Sequence, residues 1–322
     1  MINSETKREK GNVFFKMFDK YLGIPLVFLL GLFQRKKHLP LIKMSEIALL
    51  KTASIGDTVL LSAIIADLKR SNPNLHISLF VSSNNYSTAT LLSGVERVIK
   101  LPINSPLNAI KIVREERSFD VWLDFGPWPR INALLSYFAK AGIKIGFKTP
   151  GQFRHYVYDY IVQHSAEIHE LQNYRHLLGV LGIVGTNRPY LDIQPAESFR
   201  DTIIIHMFPG GYKSYLKEWQ EEKWVDLINI LNRNEQYRII LTGASSDRLR
   251  ALIVKGRVEK PDFVEVVAGQ SDLLKIAQII KAARLVISVN TGIMHLASAL
   301  NTNLVALHGP TSVNRWGPLN LN

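Results

Sequence analysis

The stretch 286–300, "VISVNTGIMHLASAL", passes from an apolar run through Asn290-Thr291-Gly292 into residues with helical spacing. That pattern is a buried strand, a tight turn and a helix. Thr291 and Gly292 enter the helix, where the first amides have no partner within it and the helix dipole is positive. Gly292 carries no β-carbon, so a phosphate can approach its backbone closely. His295 falls one turn inside, where a packed core or supporting histidine is the more frequent outcome.

The same alternation recurs on both sides of this stretch. Before it, "EIALLK" (46–51), "HISLFVS" (76–82), "ERVIKLP" (96–102) and "FDVWLDFG" (119–126) read as strands, with "TVLLSAIIADLKRS" (58–71) as a helix. The stretch 147–175 breaks that rhythm, being rich in aromatic, basic and His residues without a clear strand, and Gly, Pro and Asn accumulate over 181–197 as in a linker. The grammar then restarts with strands at "DTIIIHMF", "YRIILTG", "LVISV" and "NLVALHG" and helices at "EEKWVDLINILNR" and "SDLLKIAQIIKAA", the last with Ser271 as its expected cap. Short apolar strands alternating with helices predict an α/β protein with parallel sheets covered on both faces. At 322 residues the expectation is two Rossmann-like domains facing a cleft, 44–185 and 186–322, preceded by an arm at 1–43.

The charge is concentrated in that arm. The chain has 39 basic and 27 acidic residues, net +12, and residues 1–43 hold nine Lys/Arg against three Asp/Glu. A nucleic-acid binder would spread its excess over a folded face with interleaved aromatics, so nucleic acid is not the expected partner. Instead Lys16, Lys20, Arg35, Lys36 and Lys37 flank the apolar run "LGIPLVFLLGLF" (22–33). Its 12 residues fall short of the ~20 that span a bilayer. The expectation is an amphipathic arm lying in a membrane interface; the alternative is a helix packed on the protein's own surface. No cysteine is present, which excludes disulfides and thiolate–metal sites, and no tight His/Asp cluster suggests a metal.

In doubly wound domains ligands bind beyond the carboxyl ends of the strands. Three loops stand there. "KTASIGDTVLL" (51–61) offers Asp57, either as a helix cap or as a carboxylate able to act as general base. "HMFPGGYKSYLKEW" (206–219) offers Gly211, Ser214 and the cations Lys213 and Lys217, a set suited to a diphosphate, although no GKS/T ends the loop. The third is the opening stretch, followed by "HGPTSVNRWGP" (308–318), where Arg315 could meet an anion and Trp316 would pack.

Together "KTASIGDTVLLSAIIADLKRSNPN", "PGGYKSYLKEWQEEKW", "LTGASSDR" and "VISVNTGIMHLASALNTNLVALHGPTSVNRWGP" resemble glycosyltransferase family 9, which includes the heptosyltransferases of lipopolysaccharide core assembly. The resemblance implies a GT-B fold, with the acceptor on the first domain and the nucleotide-sugar on the second. It also implies inverting, metal-independent transfer of a heptose-like sugar, with ADP-heptose as donor substrate and no cofactor. By position, Asp57 matches the general base, Lys217 the lysine on the donor phosphates, and Thr291 and Gly292 the amides that hold the diphosphate. Asn290 stands where the family has Asp; it can bond a donor-sugar hydroxyl but adds no charge. GT-B proteins generally continue into further helices beyond the point corresponding to "RWGPLNLN", where this sequence stops. With the arm and the basic-aromatic stretch around Arg154, the expected acceptor is lipid-linked, with Arg130 and Arg154 as acceptor contacts. The protein would then be cytoplasmic, peripheral on the inner face of the membrane. A nucleotide-sugar 2-epimerase of the same fold and a non-catalytic nucleotide-sugar binder are the alternatives.

Overall fold

The computed structural model describes residues 21, 23–34, 37, 44–211, 214–233 and 236–319. They fall into two compact units, one within Asn12–Pro189 and the other within Tyr190–Asn322.

The first unit is built on β1 (Glu46–Leu50), β2 (His76–Ser82), β3 (Arg97–Leu101), β4 (Phe119–Asp124), β5 (Ala141–Lys148) and β6 (Tyr160–Gln163). All its pairings are parallel, in the order β3-β2-β1-β4-β5-β6. The chain therefore reverses its direction of travel between β1 and β4, the switch point at which such sheets open a crevice. Near-continuous apolar runs in β1 and β4 suit strands covered on both faces. Phe80, Phe119 and Trp122 cluster on one side with ring centroids 4.7–6.1 Å apart.

Two strands here escape the sequence reading. "AGIKIGFK" (141–148) and "YIVQ" (160–163) form β5 and β6 within or beside the stretch that shows no strand pattern. β6 is an edge strand of four residues with alternating half-buried and exposed positions, so it lacks the apolar run of a central strand.

The run 22–33 contains the helix Gly23–Leu32, which rests on the first unit. Val27 is fully buried among Ala133, Val157 and Tyr158. A β-carbon at Gly31 would stand 2.4 Å from that of Tyr156, so only glycine permits this approach. Leu26, Leu29 and Leu32 are exposed, as is Phe33 just after the helix, while the Phe28 ring meets that of Tyr156 edge-on at 5.2 Å. No helix among the described residues is long and apolar enough to cross a membrane.

The second unit repeats the plan with β7 (Thr202–His206), β8 (Arg238–Thr242), β9 (Val264–Val266), β10 (Leu285–Val289) and β11 (Leu304–Leu307), all parallel, in the order β11-β10-β7-β8-β9. Its switch point lies between β7 and β10. The helix Leu273–Ala282 starts one residue later than expected: Asp272, not Ser271, is its cap, accepting from the Lys275 amide at 2.8 Å. An aspartate is as good a cap as serine, and position decides between neighbours.

The segment joining the units is anchored at its start. Asp67, fully buried in the helix Ile55–Ser71, accepts from the amides of Thr186 and Asn187 at 3.0 Å each and from Asn187 Nδ2 at 2.7 Å. Just inside the second unit, Leu191 donates its amide to the Ala299 carbonyl at 3.1 Å.

Candidate active site

In the first unit the site is set by strand register. Leu50 lies opposite Asp124, and the Phe125 amide donates to the Leu50 carbonyl at 2.9 Å, so the loops after β1 and β4 leave the sheet side by side. The helix after β1 begins at Ile55 with Ser54 as its cap residue. Asp57 is therefore not the cap but sits in the first turn, where a carboxylate is favoured by the helix dipole. Its Oδ2 accepts from Ser54 Oγ at 2.6 Å and its Oδ1 from Tyr174 Oη at 3.0 Å. Lys51 Nζ stands 3.4 Å from Oδ1, and the Asp57 side chain keeps 17% of its surface exposed.

Behind this carboxylate lies a second, fully buried one. Asp124 Oδ1 accepts from the Gly126 amide at 2.8 Å and from Asn132 Nδ2 at 3.0 Å, while Oδ2 accepts from Tyr158 Oη at 2.5 Å and from Arg154. Asn132 Oδ1 in turn accepts from Thr52 Oγ1 at 2.7 Å, which ties the network to the loop after β1.

The first unit's buried arginines correct two sequence expectations. Arg154 does not offer its guanidinium to an acceptor: it is fully buried and ion-paired with Asp124. Burial, with the Asp124 carboxylate beside it, pushes the Tyr158 hydroxyl well above its ordinary value, against the lowering pull of Arg154. Arg130 is 5% exposed and donates from Nε to the Gln152 carbonyl at 2.8 Å, so it braces the 151–152 loop. Arginines in an aromatic-rich stretch look like ligand contacts in sequence, but here they supply counter-charge and donors to buried oxygens.

In the second unit three loops converge after β7, β10 and β11. Register again explains it: Val289 pairs with Leu307, and the Asn290 amide donates to the Leu307 carbonyl at 3.0 Å. Asn290 and His308 thus leave adjacent strands together, with Asn290 Nδ2 2.8 Å from His308 Nδ1. Burial lowers the His308 pKa, which keeps the ring neutral near pH 7. Its Nε2 is buried without a partner among the described residues, as is Thr311 Oγ1. Buried polar atoms of this kind call for a bonding group from elsewhere.

Lys217 closes the 3-10 turn Ser214–Lys217 and donates to the Gly210 carbonyl at 2.9 Å and the Asn290 carbonyl at 3.3 Å. Desolvation lowers its pKa from the ordinary lysine value. A β-carbon at Gly309 would stand 3.0 Å from the Leu216 carbonyl oxygen and 3.2 Å from Lys217 Cα, so any larger residue would push the "HGP" loop and the lysine turn apart by a few tenths of an ångström. Thr291 caps the helix Gly292–Ala299, its Oγ1 accepting from the Ile293 amide at 3.3 Å. Gly211 takes φ 91°, the left-handed region, at the turn of the Pro-Gly-Gly loop. His295 is 6% exposed and belongs to the buried face of its helix. Lys213 lies outside the described residues.

The structure therefore gathers Lys217, Asn290, Thr291 and Gly292 in one unit and gives Asp57 a built setting in the other. Sequence reasoning missed Lys51, Tyr174 and His308. A lysine ending a buried strand was the available signal for Lys51; nothing local marks Tyr174, 117 residues from Asp57.

Residues 116–322 match glycosyltransferase family 9 (heptosyltransferase). The chain belongs to glycosyltransferase family 9. This family 9 chain is 26% identical over 291 residues to the lipopolysaccharide heptosyltransferase 1 of Escherichia coli, covering 83% of this chain and 86% of that protein. Among solved structures, a family 9 glycosyltransferase from Veillonella parvula aligns with TM-score 0.76 at 18% identity over 88% of this chain and 86% of that one. An E. coli heptosyltransferase with ADP aligns with TM-score 0.71 at 22% identity over 85% and 91%. At these identities the structural likeness shows the fold, GT-B, and the family match makes the protein a glycosyltransferase.

Proposed function

We propose that this enzyme transfers a heptose-type sugar from a nucleoside-diphosphate donor, ADP-heptose, to a lipid-linked acceptor of the lipopolysaccharide core type, with inversion at the anomeric carbon and without a metal ion. The observation that carries the reading is the second unit's cluster. One lysine, one capped helix N-terminus and two unpartnered buried polar atoms meet within three adjacent loops. That set fits a diphosphate and the sugar next to it. Positive charge for the departing diphosphate comes from Lys217 and the helix start at Thr291-Gly292, where negative charge grows in the transition state. Inversion needs a base rather than a nucleophile, and Asp57 supplies a carboxylate at a strand end of the other unit. It takes the proton of the acceptor hydroxyl as that oxygen bonds to the anomeric carbon and the carbon–phosphate oxygen bond breaks.

Asn290 in place of a carboxylate leaves a neutral Asn290–His308 pair at the donor site. We read that pair as the contact to donor-sugar hydroxyls. The N-terminal helix supports a peripheral seat on the cytoplasmic face of a membrane: its Leu26, Leu29 and Leu32, with Phe33 just after it, are exposed, and lysines and arginines flank it in sequence. Deleting residues 1–40 should move the protein from the membrane to the soluble fraction; an unchanged distribution would contradict the seat.

The test of function is incubation of purified enzyme with labelled ADP-heptose and heptose-deficient lipopolysaccharide. Label transferred to the lipid with inverted configuration, in the presence of chelator, is the expected result. Release of a free epimer, or binding without turnover, would overturn it.

A further inference from the structure

The loop after β1 contains a buried cation that the transfer scheme above leaves without a role. Lys51 is 3% exposed. Its Nζ donates to Tyr174 Oη at 2.7 Å and to the Phe125 carbonyl at 3.0 Å, and lies 3.4 Å from Asp57 Oδ1. An ammonium has only donors, so the Tyr174 oxygen must accept from Lys51 and spend its own proton on Asp57, 3.0 Å away. The direction of both bonds is therefore fixed by chemistry. Ser54 Oγ serves the other carboxylate oxygen at 2.6 Å. Each oxygen of Asp57 is gripped from a different side.

We propose that Lys51 and Tyr174 are positioning residues that hold the Asp57 carboxylate in one orientation and keep it ionised for abstraction of the acceptor proton. The proposal rests on the reading of Asp57 as the base. Lys51 favours the carboxylate by charge and Tyr174 favours it by hydrogen bond, both of which act against the protonated acid. After the acceptor proton has passed to Asp57, the same two groups favour its return to solvent.

The other charged groups on the surrounding elements are engaged elsewhere. On β4, Asp124 is paired with Arg154. On the helix Glu170–Gly179, Glu170 faces His164 at 3.1 Å, Arg175 donates to the Asn187 carbonyl at 2.6 Å, and His176 is exposed. On Asp57's own helix, Asp67 faces Arg70, and Lys69 pairs with Glu96. Lys51 and Tyr174 are the charged and titratable side chains drawn directly onto Asp57 Oδ1, at 3.4 and 3.0 Å.

The test is the pH profile of kcat in the lipid-transfer assay for Lys51→Met and Tyr174→Phe, with ADP affinity and the thermal midpoint measured alongside. Lys51→Met should lower kcat near pH 7 by at least about tenfold and move the acid limb up by roughly one pH unit or more. Its donor KM and ADP affinity should stay within about twofold. Tyr174→Phe should move the limb the same way by less; it removes one hydroxyl and serves if Lys51→Met fails to fold. A limb that stays in place in the folded variants overturns the positioning role, even if kcat falls uniformly. Asp57→Asn separates the two claims. If Asp57→Asn is fully active, the base reading itself fails. If it is inactive while the two limbs stay in place, only the positioning role fails.

Discussion

At the switch point of the first sheet the chain presents a carboxylate, Asp57, served by Ser54, Tyr174 and Lys51. At the switch point of the second it presents a cation, Lys217, beside a helix start and a neutral Asn290–His308 pair. The two sheets have corresponding strand order near their centres, β2-β1-β4 and β8-β7-β10, so the difference does not come from topology. It comes from which side chains the loops carry. The first unit's loop is backed by a buried ionic network through Thr52, Asn132, Asp124 and Arg154. The second unit's loops carry the Asn290–His308 pair, with His308 Nε2 and Thr311 Oγ1 buried and without partners among the described residues. We read the first unit as a fixed proton acceptor and the second as an anion seat.

The sharpest way to break this contrast is to strike the buried pair. Asp124→Ala leaves the Arg154 guanidinium buried without its counter-charge and should lower the stability of the first unit by about 3–5 kcal/mol in urea denaturation. A loss below about 1 kcal/mol would show that the ionic backing is dispensable.

Acid should strike the second unit in a different manner. His206, at the end of β7, is kept neutral by burial, which pushes its pKa from 6.5 down to about 4. The unfolded chain binds this proton near 6.5 and the folded chain only near 4, so the stability of the neutral form is complete above pH 6.5. It is lost as pH falls toward 4, by roughly 3 kcal/mol in total. His206→Gln should flatten the stability–pH slope in that window; an unchanged slope would contradict it.

Lys217→Ala should weaken ADP binding by about 10–100-fold in calorimetry, since hydrogen bonds to charged groups contribute about 1.5–3 kcal/mol. Wild-type affinity should itself decline on the alkaline side at a pH below the ordinary lysine value, because desolvation lowers the Lys217 pKa. An unchanged affinity in the variant would move the role to Lys213. The smallest effect is expected at the cap: Thr291→Ala should lower stability by about 1 kcal/mol and weaken ADP binding modestly, measured by thermal midpoint and calorimetry.

Much of this contrast was legible in the sequence, for physical reasons that differ by residue. Asp57, Lys217, Thr291 and Gly292 sit just past the carboxyl ends of apolar strands, where open parallel sheets bind ligands beside a switch point. Arg130 and Arg154 misled because charge in sequence does not tell a ligand contact from a buried counter-ion. Only the register of β1 against β4 brings Asp124 beside the loop that needs it. Tyr174 was illegible because its helix reaches Asp57 through tertiary packing alone. Asn290 could be read as a departure from the family, while its pairing with His308 depends on β10 and β11 ending together.

The proposed division of labour between the units is tested most directly by Asp57→Ala, with turnover and ADP affinity measured on the same preparation. Loss of a positioned general base should depress kcat by about 100-fold or more while ADP affinity stays within about twofold of the parent. An Asp57→Ala enzyme that transfers sugar at the parent rate, or that loses ADP binding along with turnover, would contradict it.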